Sequence, residues 1–343
     1  MSQDRCFAIF GAGSIGCYLG GRLLSHGHQV IFIGRPPIQQ ELQEHGLTLT
    51  NWRGQQDCVE SRNIRVEIEP DALKEADFVL VTVKGKDTLG AAGSIRQHVA
   101  SDSVVVSFQN GIHNADTLRE NLPGQNVLAG MVAFNVVHKA KGHFHCGTEG
   151  SLALEKSKGL ENPMVAALEK SHLPVILHEH MHEVMWGKLV MNLNNSVNAL
   201  AGVPLLEELN NSLYRKVLAM SIKEALAVLK AAGIKPYRTG KVIPSIVPFI
   251  LSLPNWLFTR VAQAMLKVDP EARSSMWEDL QKGRRTEIDY LNGEIIKLAQ
   301  KYDVSTPVNQ KIFELVRKAE AQEQGPPQIP AETLLQQVSA FSK

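Results

Sequence analysis

The sequence predicts an α/β protein in which a doubly wound parallel sheet is followed by an all-helical half. Three observations support this prediction. In the first half of the chain, short and continuously apolar runs alternate with helical patterns, as in proteins built around a buried parallel sheet. A glycine-rich turn follows the first apolar run. Beyond residue 182 the apolar residues recur at helical spacing, and no segment has a convincing strand pattern.

The N-terminal half begins with an apolar strand from Cys6 to Phe10, followed by a helix in which Ile15, Leu19 and Leu23 lie at helical spacing. From residue 127 to 154, short β-like pieces separated by glycine-containing turns predict a meander at the edge of the sheet. The predicted strands of the sheet are 6–10, 30–33, 78–83 and 104–108, and the helices between them are 14–25, 36–45 and 88–99.

The C-terminal half is predicted to be helical, and the tail after Gln322 ends in one short helix or frays. The change of pattern falls near residues 178–181. We therefore expect two domains, residues 1–180 and 181–343, which agrees with a length of 343 residues. The helices predicted in this half are 182–201, 206–232, 256–267, 275–302 and 308–320.

The composition is that of an ordinary globular protein, with 44% hydrophobic and 21% charged residues, so bulk disorder is excluded. The 36 Lys and Arg residues nearly balance the 35 Asp and Glu residues, and the net charge is +1. Because such a chain has no global positive field, nucleic acid is not expected as a partner, and anion recognition must be local.

Cysteine usage and hydropathy bear on the compartment. The cysteines form no C-x-x-C pair and are too few for a disulfide framework, so we expect reduced thiols in a cytoplasmic protein. The N-terminus has no secretory signal pattern. Prolines interrupt the longest uncharged stretch, Val242 to Thr259, whereas a membrane span needs about 20 mostly apolar residues. We therefore expect no membrane partner. The cysteines are Cys6, Cys17, Cys58 and Cys146.

The segment Gly11-Ala12-Gly13-Ser14-Ile15-Gly16 matches the pattern G-x-G-x-x-G, which alone is a weak signal. Here it follows a predicted strand and opens a predicted helix, the context in which such loops bind a dinucleotide. Gly11 would allow the tight turn, Gly13 would let the backbone approach a pyrophosphate, and Gly16 would let the helix pack on the strand. The helix N-terminus favours an anion. The alternative is a glycine-rich turn without a ligand.

The end of the second strand favours NADP(H) as the cofactor. NAD-binding proteins place a carboxylate there to hold the ribose 2′-hydroxyl, whereas this chain has Ile33-Gly34-Arg35. Arg35 offers a planar, permanently charged fork for a 2′-phosphate, although it could be an ordinary surface arginine. Lys84 follows the strand that ends at Val83, at the sheet edge where ligands bind, so it is expected to line the nucleotide cleft unless it is simply solvated.

Two segments carry amides suited to a small polar substrate. In Gln109-Asn110-Gly111, Asn110 follows a strand at the same sheet edge and could bridge the nicotinamide side to a substrate, or it could form a helix cap or turn. Lys188, Asn192 and Ser196 are four residues apart and are expected to project from one helix face. Asparagine is a poor helix former, so a cleft explains this polar stripe better than a solvated surface does.

Other polar residues have ordinary structural explanations. Ser275 begins a capping-box pattern that ends at Glu278, so it could act only as a helix cap. Glu287 lies among charged neighbours and could be a surface ion-pair residue. The alternating His178, His180 and His182 fall at the expected domain boundary, where regular alternation is expected to break, so no metal site is expected there. None is expected at His143, His145 and Cys146 in the edge meander.

Together these residues resemble the ketopantoate reductase (2-dehydropantoate 2-reductase) family, from Gly11 to about Lys318. The combination in this order is specific, although each piece alone is not. The pieces are the glycine-rich loop, Val81-Thr82-Val83-Lys84, Gln109-Asn110-Gly111, Lys188-x-x-x-Asn192, and Ser274-Ser275-Met276 followed by Thr286 to Gly293.

The resemblance implies an N-terminal Rossmann domain, a C-terminal helical domain like that of 6-phosphogluconate dehydrogenase, and an active site in the cleft between them. It implies reduction of the 2-keto group of ketopantoate by NADPH, which gives pantoate on the route to pantothenate and coenzyme A. It also implies that Lys188 is the catalytic lysine and Glu287 the active-site glutamate, and that Asn110, Asn192 and Ser275 contact substrate or cofactor. A lysine so placed would stabilise the charge that hydride addition builds on the carbonyl oxygen.

Two departures from the family pattern bear on the substrate. The family commonly has a further Asn eight residues after the catalytic Lys, where this chain has Ser196 beside Asn195, and either residue could replace its substrate contact. The apolar segment 241–269 is longer than in compact members and is either buried within the chain or forms a dimer surface or lid. We expect a homodimer. The alternative functions are reduction of another branched 2-keto acid and non-catalytic NADP(H) sensing.

Overall fold

The structure, a computed structural model, describes residues 5–238, 242–262 and 271–340. The chain forms two compact units, Met1–Met181 and His182–Lys343. In the apolar 241–269 segment, Lys241 and residues 263–269 lie outside the described residues, and so does the end of the helix predicted over 256–267.

The first unit contains the strands. They are β1 (Cys6–Phe10), β2 (Gln29–Ile33), β3 (Leu47–Asn51), β4 (Gln56–Val59), β5 (Arg65–Glu67), β6 (Phe78–Val81), β7 (Val104–Ser107), β8 (Asn126–Val132), β9 (Val136–Ala140), β10 (His143–Cys146), β11 (Leu152–Glu155) and β12 (Val175–His178). Eight of them form one sheet in the order β12-β11-β8-β7-β6-β1-β2-β5. From β8 to β5 all neighbours are parallel. The chain leaves β1 toward β2 and later returns to β6 on the other side, so the predicted doubly wound sheet is confirmed.

Helices cover both faces of this sheet. They are α1 (Ser14–Ser25), α2 (Pro36–His45), α3 (Thr88–His98), α4 (Asn114–Asn121) and α5 (Asn162–Lys170). Phe7 and Ile9 of β1 belong to the same core cluster as Leu19 of α1, whereas Ala8 belongs to the cluster that includes Ile95 of α3. Because both faces are buried, the strands carry continuous apolar runs rather than an alternation with polar residues.

The meander predicted over 127–154 is wrong, since the segment divides between two sheets. β8 lies in the large sheet parallel to β7, and β11 returns beside it in antiparallel orientation. Between them, β9 and β10 join a second sheet of order β4-β3-β10-β9. The reason is β3, which pairs in parallel with β10 and draws this hairpin away from the large sheet.

The second unit is helical, as predicted. Its helices, the first of which begins one residue before the unit, are α6 (Met181–Asn192), α7 (Asn194–Ala201), α8 (Leu205–Asn210), α9 (Ser212–Ala231), α10 (Val247–Leu251), α11 (Asn255–Val261), α12 (Ser275–Gln281), α13 (Asn292–Lys301), α14 (Pro307–Gln322) and α15 (Ala331–Ala340). Among the described residues, no helix combines the length and the apolar composition that crossing a bilayer requires.

Three predicted helices are shorter than expected because local caps and turns interrupt them. The 206–232 helix is divided at Asn211, whose extended backbone and side-chain bond to the Leu213 N–H start α9. The 275–302 helix is interrupted after Gln281, where Gly283 has a φ of +59°. The 182–201 helix is divided at Leu193 into α6 and α7.

The described part of the apolar segment, residues 242–262, is anchored to α9 by Arg215. This fully buried guanidinium donates to the carbonyl oxygens of Leu251 and Leu253 at 3.1 and 2.9 Å, and to the side chain of Asn255 at 2.8 Å. It also stacks over the Phe258 ring at 4.2 Å. The opposite side of the segment remains exposed at Ile243, Ile246, Phe249, Trp256 and Val261. The segment is therefore partly core and partly apolar surface.

Candidate active site

The glycine-rich loop leaves β1 by a turn that tolerates no side chain at two positions. Gly11 has a φ of +112°, and a Cβ atom there would lie 2.7 Å from the backbone nitrogen of Val83. A Cβ atom on Gly16 would lie 2.3 Å from the carbonyl oxygen of Gly11, so only glycine lets α1 approach the strand so closely. Ala12 and Ile15, in contrast, pack partly against the core.

The open side of the loop fits a pyrophosphate. A Cβ atom on Gly13 would meet no described atom within 4 Å, so the backbone is accessible there. Gly13 is also the residue before α1 and supplies no side chain to cap it, while the first N–H groups of a helix, from Ser14 onward, lack intrahelical partners. These donors and the helix dipole favour a bound anion. The residues present therefore fit a dinucleotide cofactor.

Arg35 lies directly after β2, at the same edge of the sheet. It is exposed, and among the described residues it forms no ion pair. The neighbouring strand carries Glu67 in register with Ile33, but the Glu67 carboxylate already accepts a bond from Arg65 at 2.9 Å. The guanidinium of Arg35 is therefore available to a phosphate on the adenosine ribose.

Lys84 and Asn110, both partly buried, follow β6 and β7 at this edge, where a buried amide braces their turns. The side chain of Gln109 donates to the carbonyl oxygen of Val83 at 3.0 Å and to the hydroxyl of Thr88 at 2.8 Å. In the sequence, Gln109 stands out only as a neighbour of Asn110. Its role as the brace depends on Thr88, which no local pattern connects to it.

Lys188 is the central feature of the second unit. It lies on α6 beside the buried Leu189, and its side chain is only partly exposed. Burial lowers the pKa of Lys188 to about 8, although the negative charge of Glu287 acts in the opposite direction. Lys188 and Glu287 therefore lie close enough for their charges to interact. A lysine with a pKa near neutrality can exchange a proton with a substrate.

A chain crossing beside Lys188 was not predicted. After α9 the backbone passes over α6, where the Tyr237 N–H donates to the carbonyl oxygen of Glu183 at 2.9 Å. A Cβ atom on Gly187 would lie 2.0 Å from the carbonyl oxygen of Tyr237, so this crossing requires glycine. The only sequence signal is an isolated glycine within a helical pattern.

The polar face predicted for Lys188, Asn192 and Ser196 does not extend to Ser196. Lys188 and Asn192 are partly exposed on α6, but Ser196 lies on α7 with no exposed surface. Its hydroxyl donates to the carbonyl oxygen of Leu193 at 2.8 Å. The division of the helix at Leu193 is the physical reason, since Ser196 begins the buried side of α7.

Ser275 is not the helix cap that its sequence pattern suggested. The cap of α12 is Ser274, whose hydroxyl oxygen accepts a bond from the Trp277 N–H at 3.1 Å. Ser274 is buried, whereas Ser275 is the first residue of the helix and is exposed. The pattern is therefore displaced by one residue, and the hydroxyl of Ser275 is left for another partner.

Glu287 lies just before a short 3-10 turn, Ile288–Tyr290, and is partly buried. Its neighbour Asp289 forms an ion pair with Arg317. Arg317 also bonds Glu320 at 2.6 Å, and Glu320 accepts the Thr286 N–H at 2.7 Å. This network fixes the segment from which Glu287 acts on Lys188.

The histidine-rich segments have other contacts. His143 Nε2 and His145 Nδ1 each lie 2.8 Å from the hydroxyl of Thr50 on the neighbouring strand. Within residues 5–238, 242–262 and 271–340, no three His, Cys, Asp or Glu side chains are grouped so that they could hold a metal ion. The four cysteines are unpaired, and only Cys58 is exposed.

Comparison with known proteins relates both units to one family. Residues 7–159 match the model of ketopantoate reductase PanE/ApbA, and residues 180–320 match that of its C-terminal domain. The 2-dehydropantoate 2-reductase of Pyrococcus abyssi is 26% identical over 327 residues, which cover 92% of this chain and 98% of that protein.

Solved structures agree. A PanE/ApbA family ketopantoate reductase from Ralstonia eutropha JMP134 is 31% identical with a TM-score of 0.79, and the match covers 93% of this chain and 99% of that chain. A D-mandelate dehydrogenase solved with NADH and anilino(oxo)acetate is 22% identical with a TM-score of 0.75, over 93% and 99% of the two chains, and shares the fold. The protein therefore belongs to the ketopantoate reductase PanE/ApbA family of nicotinamide-dependent oxidoreductases.

Proposed function

We propose that the protein uses NADPH to reduce 2-dehydropantoate (ketopantoate) to pantoate, the step that serves pantothenate and coenzyme A synthesis. The observation that carries this proposal is Lys188, a partly buried lysine whose pKa is lowered to about 8 beside the charge of Glu287. An acid of this strength suits the reduction of a ketone, because the carbonyl oxygen must receive both charge stabilisation and a proton.

The first unit is proposed to hold the cofactor. The loop Gly11–Gly16 and the N-terminus of α1 would bind the pyrophosphate, Arg35 a 2′-phosphate, and Lys84 and Asn110 the neighbouring part of the dinucleotide. Bound NADPH supplies a hydride to the carbonyl carbon of the substrate. We assign residues 1–180 to this NADP-binding role and residues 181–343 to substrate binding and catalysis.

The second unit is proposed to supply the acid. The ammonium group of Lys188 stabilises the oxygen as it becomes negative and donates its proton, which leaves a neutral amine and the product hydroxyl. Glu287 orients Lys188 and keeps its proton affinity high enough for the ammonium form to persist near pH 7. Asn192, Ser275 and Asn110 would bind the substrate carboxylate and hydroxyl. Ser196, which is buried and bonded to Leu193, is assigned a structural role.

Ser196 also favours a second candidate substrate. The family's further Asn is replaced here by a residue without exposed surface, so one polar substrate contact is absent or comes from elsewhere. Another branched 2-keto acid is therefore the alternative substrate. Non-catalytic NADP(H) sensing is disfavoured, because a sensor needs no lysine and glutamate pair of this kind.

The test is oxidation of NADPH, followed by absorbance, with ketopantoate and a panel of branched 2-keto acids. We expect the highest kcat/KM with ketopantoate and little turnover with NADH. Arg35→Ala should raise the KM for NADPH roughly tenfold and leave that for NADH unchanged, since only a phosphate contact is lost. Faster turnover of another acid would make that acid the substrate in place of ketopantoate. Tight NADPH binding without turnover of any acid would favour a sensor.

We also propose that the protein is a cytoplasmic homodimer. Unpaired cysteines are typical of a reducing compartment. The exposed Phe249 and Trp256, 70% and 71% exposed, lie on a segment that Arg215 holds in place, and such apolar surface is typical of protein interfaces. Light scattering should give twice the chain mass, and Trp256→Ser with Phe249→Ser should give the monomer. A monomeric wild type would contradict the dimer.

A further inference from the structure

The turn that carries Ser275 is fixed by more bonds than a helix cap needs. Ser274 is 4% exposed, and its hydroxyl oxygen caps α12 through the Trp277 N–H. The same hydroxyl donates to the carbonyl oxygen of Asn195 at 3.0 Å, and the Ser274 N–H donates to the side chain of Asn198 at 2.9 Å. Two of these three bonds are made to α7 rather than to α12 itself.

Asn198 ties this turn to the rest of the unit. It has no exposed surface, and its amide nitrogen donates to the carbonyl oxygen of Val203 at 3.0 Å and to the carboxyl group of Glu208 at 2.7 Å. All the polar atoms of its side chain are therefore bonded within the unit. We refer to Asn198, Glu208 and Ser274 as the Asn198 network.

The placement of the Asn198 network in the chain gives it a consequence for substrate binding. α7 follows α6 after one residue, and α6 carries Lys188 and Asn192. The network therefore holds the exposed Ser275 in register with the helix pair that carries the proposed acid. A hydrogen bond weakens steeply when its distance or angle is disturbed, so a network that fixes the Ser275 hydroxyl bears directly on how tightly that hydroxyl holds a substrate.

We propose that Ser274 and Asn198 are positioning residues that hold the Ser275 hydroxyl where it binds the 2-keto acid. The proposal rests on the function proposed above, because it takes Ser275 as a substrate contact. It goes beyond that function by assigning the buried serine and asparagine a role in substrate affinity. They act through Ser275 and do not themselves touch the substrate.

The test is a double-mutant cycle with the full-length protein, NADPH and ketopantoate. Ser274→Ala should raise the KM for ketopantoate roughly tenfold and change kcat and the Kd for NADPH less than about twofold. In a Ser275→Ala background, the same change should have almost no further effect on KM, because the group that Ser274 positions is already absent. Ser274→Thr, which keeps the hydroxyl, should restore most of the affinity.

Ser274→Gly separates positioning from capping, since glycine is nearly as good a cap as serine but cannot bond Asn195. It should fold and still raise KM. Asn198→Ala should behave alike, whereas Tyr214→Phe, which removes one bond to the Ile329 carbonyl oxygen in the same unit, should leave KM unchanged. Additive effects of Ser274→Ala and Ser275→Ala, or an unchanged KM in Ser274→Gly, would overturn the inference alone. A wild type that reduces no acid of the panel would overturn the proposed function as well.

Discussion

The carbonyl oxygen of Tyr237 lies only 2.0 Å from the position that a Cβ atom on residue 187 would occupy, so this position accepts glycine alone. Position 187 immediately precedes Lys188, so the crossing chain is placed one residue from the proposed acid. The Tyr237 N–H donates to the carbonyl oxygen of Glu183 on α6, which fixes the crossing chain to the helix one turn before Gly187. This close contact between α6 and the chain after α9 is not revealed by the helix sequence alone.

Gly187→Ala tests this contact because two opposite effects on stability compete at this position. Helix propensity alone predicts a gain of up to about 1 kcal/mol, whereas the clash with a backbone oxygen predicts a loss of about 1–3 kcal/mol. We expect a net loss in urea unfolding and a fall in kcat. The matched control is Gly90→Ala in α3, where a Cβ atom meets nothing within 4 Å and stability should rise. Equal stabilisation of both variants would contradict the close crossing.

The pH dependence of reduction should report the ionisation of Lys188. The reaction needs the ammonium form, which is lost as the pH rises through the pKa of about 8, so kcat/KM should be constant near pH 7 and fall above pH 8. Lys188→Ala should lower kcat by roughly 10²–10⁴-fold near pH 7 and remove the alkaline limb, with NADPH binding retained. An alkaline limb that stays in place in Lys188→Ala would assign it to another group.

Glu287→Gln tests independently whether the alkaline limb belongs to Lys188, through the direction in which the limb moves. The Glu287 charge raises the pKa of Lys188 against the larger effect of burial. Its removal should therefore lower that pKa and move the alkaline limb to lower pH, which pH–rate profiles of both proteins measure. A limb that moves to higher pH would show that Glu287 does not act on Lys188 through its charge.

Substitution of two glycines in the same loop should affect different properties, cofactor binding at Gly13 and stability at Gly16. Gly13→Ala meets no described atom, so it should cost under about 1 kcal/mol of unfolding free energy yet weaken NADPH binding roughly 10- to 100-fold. Gly16→Ala meets the Gly11 carbonyl oxygen at 2.3 Å, so its main effect should be on stability. Titration calorimetry measures the NADPH affinity of each variant, and urea unfolding measures its stability. Unchanged NADPH affinity in Gly13→Ala would remove the loop from the cofactor site.

The fold was predictable where a segment's own residues decide its structure. β1, β6 and β7 are buried on both faces, so each is a continuous apolar run, and the doubly wound sheet follows from them. β3 and β5, in contrast, contain Thr, Asn, Arg and Glu, and they are strands because β10 and β2 pair with them. Pairing with a distant partner has no signature in a short polar sequence.

The candidate site divides in the same way. The glycine-rich loop is a local motif, and its backbone has the turn and close helix packing that the spacing predicts. Ser274 and Ser275 are both compatible with a cap, and the choice between them depends on Asn195 and Asn198 on another helix. Sequence periodicity placed Ser196 with Lys188, but the division of the helix at Leu193 turned it inward. Contacts between distant segments decided each case.

The Arg215 anchor should be among the more sensitive positions in the second unit. Its guanidinium is buried, and within the described part of the chain it has no carboxylate partner. It donates to the carbonyl oxygens of Leu209, Leu251 and Leu253, so Arg215→Met leaves three acceptors without their donor. We expect a loss of about 3–5 kcal/mol in urea unfolding and faster proteolysis within residues 242–262. Arg260→Met, an exposed change in the same segment, should stay within about 0.5 kcal/mol of the wild type. If both variants unfolded alike, the segment would be held by its apolar contacts with α9 and not by Arg215.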